Sequence, residues 1–575
     1  IRYLLYRLNN KIIKNQLYKI PCSLLSNLYL KVQCVPFNNI PFNFSLVNHN
    51  PPIADLLDCI DSSERTHELF ARLIKNNTEQ RGILYTSKAD IVGFKNPEEL
   101  AEKYNNVLYH RHQYARIEIF KNHFYIKEYD ENVYEIIYKL KKYAESGIKN
   151  YTHSVDLWMK NSGLIIDCDE KKNALRNLFK NSKVAFIYGA AGTGKSTMIN
   201  YISSLFKDKQ KIFLANTNPA VENLRRKVTA EHAEFVTITK FLSKDVSNDC
   251  DILCLDECST ISNRDMVRVL QRAQCKLLVL VGDIYQIESI LFGNWFNIAY
   301  KVMPKDSVAE LTRPHRTTVQ GLIEVWNKVR EITEDRLEFI TRNGLSSTLD
   351  ESIFSRTEED EIVLCLNYDG IYGINNINKF LQSNNVNPSI NWGVLSYKVG
   401  DPVLFNESNR FAPLVYNNLK GKILQIEEEE DCIYFTIEVY TVLNELDVIG
   451  FDLELKESVT DETSVIRFKV GRGGDGNDDN DNVENVVPFQ VAYAISIHKA
   501  QGLEYESVKV VITSEIEEMV SHNIFYTAIT RAKSKLKIYW SPETEKRILE
   551  NMKVQFNDKD YQLFKAKYKE ALLKS

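Results

Sequence analysis

Short apolar runs alternate with helical patterns through the middle of this chain. Three such runs, at residues 184–188, 251–255 and 277–281, have the length of buried strands and are too short for ordinary helices. The segments between them space their apolar residues as amphipathic helices do. Strands that alternate with helices predict a parallel sheet covered by helices. We therefore predict an α/β unit over residues 156–305.

The apolar pattern changes after this unit and later returns. Residues 361–366 are typical of the first strand of a second α/β unit, and from about residue 391 shorter runs separated by turns predict a small β-barrel insert. The first 155 residues mix strand and helix patterns, which predicts an α+β accessory region. The predicted divisions are the accessory region (1–155), the first unit (156–305), the second unit in two parts (306–390 and 486–545), the insert with its polar Gly/Asn/Asp loop (391–485) and a C-terminal helix (546–575).

The composition limits the classes of function. The 575 residues are 44% hydrophobic and 26% charged, with a formal net charge of −5. A chain without an overall basic excess must contact nucleic acid through a local groove. No apolar run approaches the ~18–20 residues of a membrane span, so we expect no membrane partner. The ten cysteines are scattered and no export signal is evident, which favours reduced thiols and a cytoplasmic location.

A glycine-rich motif follows the strand at 184–188 and matches the phosphate-loop pattern G-x-x-x-x-G-K-[ST] without a mismatch. In a strand–loop–helix unit, backbone N–H groups and a helix N-terminus can wrap a polyphosphate. We expect Lys195 to reach the β- and γ-phosphates and the Ser196 hydroxyl to hold Mg²⁺. The cofactor-binding residues predicted here are Gly189, Ala190, Ala191, Gly192, Thr193, Gly194, Lys195, Ser196 and Thr197. The chain is therefore expected to bind a nucleoside triphosphate.

Polar residues at the ends of the next two buried runs supply further candidates for nucleotide hydrolysis. Asp256 would bind Mg²⁺ and Glu257 would polarise the attacking water. Gln286, which follows the run at 277–281, could sense the γ-phosphate. Positive charge must complete the transition state, and the candidates for that charge are Arg316 and Arg531.

Taken together, the motifs resemble those of superfamily 1 helicases and occur in the same order. They lie at residues 189–196, 215–224, 237–242, 256–257, 282–286, 316, 498–504 and 527–532. The resemblance covers roughly residues 165–540. It implies two RecA-like phosphate-loop domains with ATP in the cleft between them. The expected fold class is therefore α/β. An SH3-like β-barrel insert and the α+β N-terminal accessory region would be added to the two domains.

The resemblance also implies roles for individual residues. Lys195, Asp256, Glu257 and Gln286 would act from the first domain, and Arg316 and Arg531 would reach the γ-phosphate from the second. Gly502 and Glu504 would face the phosphate and ribose of the nucleotide. The motifs that touch single-stranded nucleic acid in the family contain Thr217, Asn218, Thr237 and His498. The insert, with Gly400-Asp401 and part of an Asn-Gly-x-x-Gly signature at 417–421, resembles that of the RecD-like branch, which generally moves 5′ to 3′.

Two departures from the family pattern affect the expected function. Lys171 stands where the family often has a glutamine that reads adenine, so a strict preference for ATP is in doubt. RecD-like helicases also carry a strand-splitting pin before the Asp-Glu motif, and residues 243–250 are too few for a substantial hairpin there.

Three functions remain open at this point. The first is an ATP-dependent helicase or translocase on single-stranded DNA, with DNA favoured over RNA. The second is an RNA helicase of the related branch, and the third is a nucleic-acid-stimulated ATPase switch that acts on a protein partner through the N-terminal region.

Overall fold

The computed structural model describes residues 66–243, 248–286, 292–313, 317–393, 395–406, 410–412, 414–458, 460–471, 485–516, 520–552 and 558–573. The strands are β1 Thr86–Ser87, β2 Ile117–Phe120, β3 His123–Ile126, β4 Val184–Gly189, β5 Lys211–Ala215, β6 Ala233–Thr237, β7 Asp249–Leu255, β8 Gln274–Gly282, β9 Val308–Leu311, β10 Ser346–Ser347, β11 Glu361–Cys365, β12 Ser389–Trp392, β13 Leu395–Lys398, β14 Pro402–Phe405, β15 Lys420–Glu428, β16 Cys432–Val439, β17 Glu454–Lys456, β18 Ser464–Gly471, β19 Phe489–Val491, β20 Ala494–Ser496, β21 Tyr505–Val511 and β22 Ala532–Tyr539.

The α-helices in the same residues run between the strands or flank the sheets. They are α1 Thr66–Arg81, α2 Pro97–Val107, α3 Lys127–Ala144, α4 Tyr151–Asn161, α5 Asp169–Asn177, α6 Lys195–Leu205, α7 Asn218–Lys227, α8 Ile238–Leu242, α9 Asn263–Arg272, α10 Trp295–Val302, α11 Gln320–Glu331, α12 Arg336–Arg342, α13 Ile374–Ser383, α14 His522–Ile529, α15 Pro542–Asn551 and α16 Asp558–Leu573. None of them is long and apolar enough to cross a membrane.

The first α/β unit is built on a parallel sheet with the strand order β6-β5-β7-β8-β4-β9. Its central strand β4 is buried along its whole length, as expected for a parallel strand that is covered on both faces. The predicted boundary between residues 155 and 156 falls inside α4. Tyr151 and Val155 of that helix pack in one core with Ile187 and Val281 of the sheet.

The second α/β unit also contains a parallel sheet, with the order β10-β22-β21-β11-β20. Strand β11 occupies the place predicted from the apolar pattern and is fully buried, and helix α13 follows it. The two parallel sheets confirm the mixed α/β architecture that the resemblance to two RecA-like domains implies.

The insert consists of an antiparallel six-stranded sheet in the order β17-β18-β16-β15-β14-β19, preceded by the β12–β13 hairpin. Its core is rich in aromatic rings, which include Phe405, Phe435, Phe468 and Phe489. The short, turn-separated runs in the sequence therefore form strands, which pair antiparallel; the SH3-like barrel stays a prediction. The polar segment 472–484, which was predicted to be a loop, lies outside the described residues.

The accessory region contacts two distant parts of the chain. Helix α3 packs on α9 and α10, and its Val133, Ile136 and Leu140 share a core with β4. The carboxylate of Asp560, in α16, accepts hydrogen bonds from the backbone N–H groups of Leu84 at 2.7 Å and Tyr85 at 3.0 Å. Helix α16 therefore completes the accessory region rather than extending the second α/β unit.

Buried charge reinforces this contact. Asp130 of α3 is 1% exposed, and it accepts hydrogen bonds from Tyr85 Oη at 2.5 Å and from Lys567 Nζ at 2.6 Å. The hydroxyl of Tyr568 bonds to the same carboxylate. A buried carboxylate is tolerated when it is paired and hydrogen-bonded in this way, so α16 supplies the partners that Asp130 requires.

Candidate nucleotide-binding site

The phosphate loop joins the end of β4 to the start of α6. Gly192 and Gly194 have φ values of 78° and 85°, which side chains with a Cβ rarely adopt. The Lys195 ammonium donates to the carbonyl oxygens of Gly189 at 2.8 Å and Ala190 at 2.9 Å, and Thr193 Oγ1 also donates to Ala190 O at 2.9 Å. These bonds hold the loop in a tight turn, in which the Lys195 ammonium is bound to the loop's own carbonyl groups.

Two carboxylates follow β7, which is separated from β4 by β8 in the sheet. Glu257 has a φ of 52°, and its backbone N–H donates to Asp256 Oδ1 at 2.8 Å. Burial raises the pKa of the Asp256 carboxyl. Burial and, second, the neighbouring charge of Asp256 raise the pKa of Glu257 to about 7, although Arg531, Lys195 and Lys227 act in the opposite direction. Glu257 Oε2 is buried and has no hydrogen-bond partner among the described residues.

The second α/β unit faces these carboxylates. A Cβ added to Gly502, whose φ is 78°, would lie 3.8 Å from Glu257 Oε1, so the backbone there passes close to the carboxylate. The Arg531 side chain is 4% exposed, and its Nε donates to Thr527 O at 2.9 Å. The peptide groups of its own unit thus orient the guanidinium toward the cleft.

Two side-chain contacts cross between the units beside the cleft. Glu504 Oε1 lies 3.6 Å from Lys227 Nζ, at the end of α7. Tyr526 donates a hydrogen bond of 3.4 Å to Asp283 Oδ2, just after β8. Both contacts must change if the units move apart.

A cavity of about 310 Å³ occupies this cleft, a size that suits a small-molecule ligand. The predicted residues that line it are Ala191, Gly192, Gly194, Lys195, Ser196, Thr197, Asp256, Glu257, Gln286, Gly502, Glu504 and Arg531. Gly189, Ala190 and Thr193 do not line the cavity and instead form the internal bonds of the loop. Arg316 lies outside the described residues.

Sequence reasoning missed four polar residues that line the same cavity. Asp283 directly follows β8. Asn223 and Lys227 lie on α7, and Lys533 follows Arg531 at the start of β22. Lys227 lies beyond the 215–224 motif and has no spacing signature of its own. Lys533 is two residues after Arg531, a separation that would have suggested a common edge of the sheet, where alternate side chains face the same way.

A second cavity, of about 490 Å³, separates the second parallel sheet from the insert. Charged residues that line it are paired with each other: Lys420 Nζ donates to Asp360 Oδ1 at 2.9 Å, and Lys422 bonds to Glu359. Its lining contains neither the phosphate loop nor the Asp-Glu pair. Although this cavity is larger, we therefore assign the nucleotide to the cleft.

The residues predicted to contact nucleic acid lie near the carboxyl ends of parallel strands, outside the nucleotide cavity. Thr217 follows β5 and caps α7, and Thr237 ends β6 and caps α8, each accepting a hydrogen bond from a backbone N–H group. Asn218 and His498 are exposed. The sequence predicts no strand-splitting pin within residues 243–250. Residues 244–247 of that segment lie outside the described residues.

A divalent cation fits the donor set of the cleft. The Ser196 hydroxyl and the Asp256 carboxylate both line the cavity, and oxygen donors of this kind suit a hard cation that also binds phosphate oxygens. These are the two residues that the sequence predicts as metal ligands.

Two family models match the chain. Residues 168–350 match the AAA domain, and residues 491–539 match the UvrD-like helicase C-terminal domain. The first match contains the phosphate loop and the Asp-Glu pair, and the second contains Gly502, Glu504 and Arg531.

Individual relatives agree with these matches. RecBCD enzyme subunit RecD of Buchnera aphidicola is 23% identical over 503 residues, with 67% of this chain and 78% of the relative covered. The ATP-dependent DNA helicase Pif1 of Campylobacter jejuni is 23% identical over 438 residues, and the match covers 62% of this chain and 88% of the relative. An uncharacterized protein of Methanocaldococcus jannaschii is 24% identical over 448 residues, 64% of this chain and 37% of that longer relative.

Among solved structures, Bacteroides Pif1 bound to ssDNA is 16% identical, with a TM-score of 0.42, and the alignment covers 71% of this chain and 98% of that one. The family matches and the curated relatives agree with the order of motifs around the cleft. These matches support the resemblance to RecD-like helicases of superfamily 1, and they show an ATP-hydrolysing enzyme.

Proposed function

We propose that the protein is an ATP-driven DNA helicase or translocase that moves 5′ to 3′ along single-stranded DNA. One observation carries this proposal: the phosphate loop, the Asp256–Glu257 pair and Arg531 from the other unit line the same cavity. A site divided between two units can couple hydrolysis to their relative movement. The relative named as the DNA helicase Pif1 supports DNA as the track. The 5′-to-3′ direction is inferred from the resemblance of the insert to that of the RecD-like branch.

In the proposed mechanism, each side chain has a distinct part. Lys195 leaves its carbonyl partners to bind the β- and γ-phosphates, and Gln286 orients the water that attacks the γ-phosphate. Glu257 in its ionised form accepts a proton from that water, and Arg531 stabilises the charge that develops on the γ-phosphate. Mg²⁺, held by Ser196 and Asp256, would neutralise charge on the phosphate oxygens.

Movement would follow from the contacts that cross the cleft. Loss of the γ-phosphate removes the ligand that holds Arg531 against the first unit, so the two units can separate. Thr217, Asn218 and Thr237 on one unit and His498 on the other would then grip the strand in alternation. Such contacts go mainly to phosphates and stacked bases, which favours sequence-independent binding.

The test is ATP hydrolysis with and without single-stranded DNA, together with unwinding of duplexes that carry a 5′ or a 3′ tail. We expect DNA to stimulate hydrolysis and only 5′-tailed duplexes to be opened. Lys195→Ala and Glu257→Gln should abolish turnover, whereas Lys207→Ala, which removes an exposed lysine just after α6, should retain it. Hydrolysis that no nucleic acid stimulates would overturn the proposal.

Two alternatives are separated by the same assays. Stronger stimulation by RNA than by DNA oligonucleotides would favour the RNA helicase, since the 2′-OH is the feature that a protein can use to tell the two apart. The short segment at 243–250 motivates the ATPase switch. Strong DNA-stimulated hydrolysis without strand separation would favour that switch over a helicase.

A further inference from the structure

Lys171 is a buried lysine beside the nucleotide cleft. It lies on α5 and is only 1% exposed, which is rare for a lysine unless its charge is paired. Its Nζ donates a hydrogen bond of 2.6 Å to Asp167 Oδ2, and the Asp167 side chain is itself 38% exposed. A half-exposed carboxylate one turn earlier thus pairs with the buried ammonium.

The Lys171 ammonium contacts the phosphate loop. A Cβ added to Gly194 would lie 2.6 Å from Lys171 Nζ and 3.0 Å from its Cε, so the lysine occupies the space that a side chain there would fill. Gly194 lines the nucleotide cavity and directly precedes Lys195. Two ammonium groups therefore flank one short stretch of backbone.

This arrangement concentrates positive charge before any nucleotide binds. The N-terminus of α6 adds the positive end of a helix dipole at the same place. Lys171 pairs with the carboxylate of Asp167, while Lys195 donates to two carbonyl groups and interacts electrostatically with the Asp256 and Glu257 carboxylates. A triphosphate bound in the loop would supply the negative charge that offsets both lysines.

Lys171 stands where the family often has a glutamine that reads adenine, and its side chain instead pairs with Asp167 and contacts the phosphate loop. The preceding residue is engaged as well: Glu170 Oε1 accepts hydrogen bonds from Thr312 N at 3.0 Å and Thr312 Oγ1 at 2.9 Å. Both side chains at the start of α5 therefore bind protein groups, and Lys171 directs its charge at the phosphate loop.

We propose that Lys171 is a second cation of the phosphate-binding site, and that the enzyme consequently uses nucleoside triphosphates with little discrimination among bases. The inference rests on the proposed function, because it concerns the substrate of the same site. All four ribonucleoside triphosphates carry the same polyphosphate, so a site that gains its affinity there binds them similarly.

The experiment compares ATP, GTP, CTP and UTP as substrates in the presence of single-stranded DNA. For the unmodified protein we expect kcat/KM values within about threefold of each other. Lys171→Met should raise KM about tenfold for all four, a factor within reach of one charge-assisted hydrogen bond. Lys171→Arg, which keeps the charge, should stay near the original KM. Inorganic tripolyphosphate, a probe without a base, should compete with ATP and lose about tenfold in affinity in the Met variant.

Lys172→Met is the matched control. Lys172 is the next residue on the helix, but its side chain is 40% exposed and pairs with Asp169 at 3.1 Å. Its loss should leave KM for every nucleotide unchanged. A merely structural role for Lys171 would lower kcat and the unfolding temperature without changing tripolyphosphate binding.

The outcomes separate the two proposals. A preference for ATP above about tenfold in the unmodified protein, or an unchanged KM in Lys171→Met, would overturn the assignment of Lys171 while leaving the helicase intact. If no nucleotide is hydrolysed, the proposed function itself fails and this inference fails with it.

Discussion

Replacing Glu257 by glutamine should make the protein more stable and at the same time inactive. The fold raises the pKa of Glu257 from 4.5 to about 7, because the side chain is buried beside the charge of Asp256. A raised folded-state pKa means that folding favours the protonated form. The associated stability is fully present below pH 4.5 and is lost as the pH rises through 7.

The magnitude follows from the size of the shift. A difference of about 2.5 pKa units, each worth ~1.36 kcal/mol, means that the ionised carboxylate costs about 3 kcal/mol above pH 7. Glutamine has the same shape and no charge, so Glu257→Gln should recover about 3 kcal/mol at pH 8. At pH 5 the native group is already protonated and the gain should fall below about 1 kcal/mol.

Thermal unfolding of the nucleotide-free protein at pH 5 and pH 8 measures this difference. The midpoint of the first α/β unit should rise by roughly 6 °C or more at pH 8, and by less than a third of that at pH 5. Glu445→Gln, at an exposed glutamate in the insert, should change neither midpoint. An equal rise in the unfolding midpoint of Glu257→Gln at both pH values would refute the electrostatic reasoning. A fall in the midpoint at pH 8 would refute it more directly.

Three further predictions concern the same cleft and the accessory region. Because Glu257 must be ionised to accept a proton, kcat/KM for ATP should rise about tenfold between pH 6 and pH 8 with its midpoint near 7, and a flat pH profile would contradict this role. Arg531→Met should lower turnover by about 10³ while nucleotide affinity, measured by equilibrium binding, changes little; turnover near that of the unmodified protein would remove Arg531 from the site. Asp560→Asn should cost about 1–3 kcal/mol, since two backbone N–H groups lose a charged acceptor, and should speed the protease cleavage of residues 66–144. Lys559→Gln, at an exposed lysine of the same helix, is the control and should leave the cleavage rate unchanged.

The sequence predicted the cleft well because its chemistry depends on local patterns. Each of the runs at 184–188, 251–255 and 277–281 forms a parallel strand, and the polar residues after each run lie at one edge of the sheet. Motif order then predicted that Arg531, far along the chain, would face them. The strand positions follow from short-range periodicity and from the rule that parallel strands end on the same side. The place of Arg531 was implied only by the resemblance to superfamily 1 helicases.

Other features depend on long-range packing, which no local pattern reports. In the sequence, Lys227 is one of several basic residues in the last turn of a helix. Its position in the cleft depends on its pairing with Glu504 from the second unit. Lys171 was identified as a departure from a motif, yet its burial against Gly194 follows only from the way α5 packs on the loop. The charged helix at the end of the sequence gave no indication of its partner in the accessory region.

That last contact has a consequence for the order in which the protein matures on the ribosome. Tyr85 and Asp560 are separated by 475 residues, which take roughly 25–95 s to synthesise at 5–20 residues per second. Throughout that interval the nascent accessory region lacks the acceptor for its two amides and the lysine that Asp130 pairs with. The accessory region is made before the two α/β units and is thus among the last parts to reach its final structure, which gives chaperones a long time to bind it.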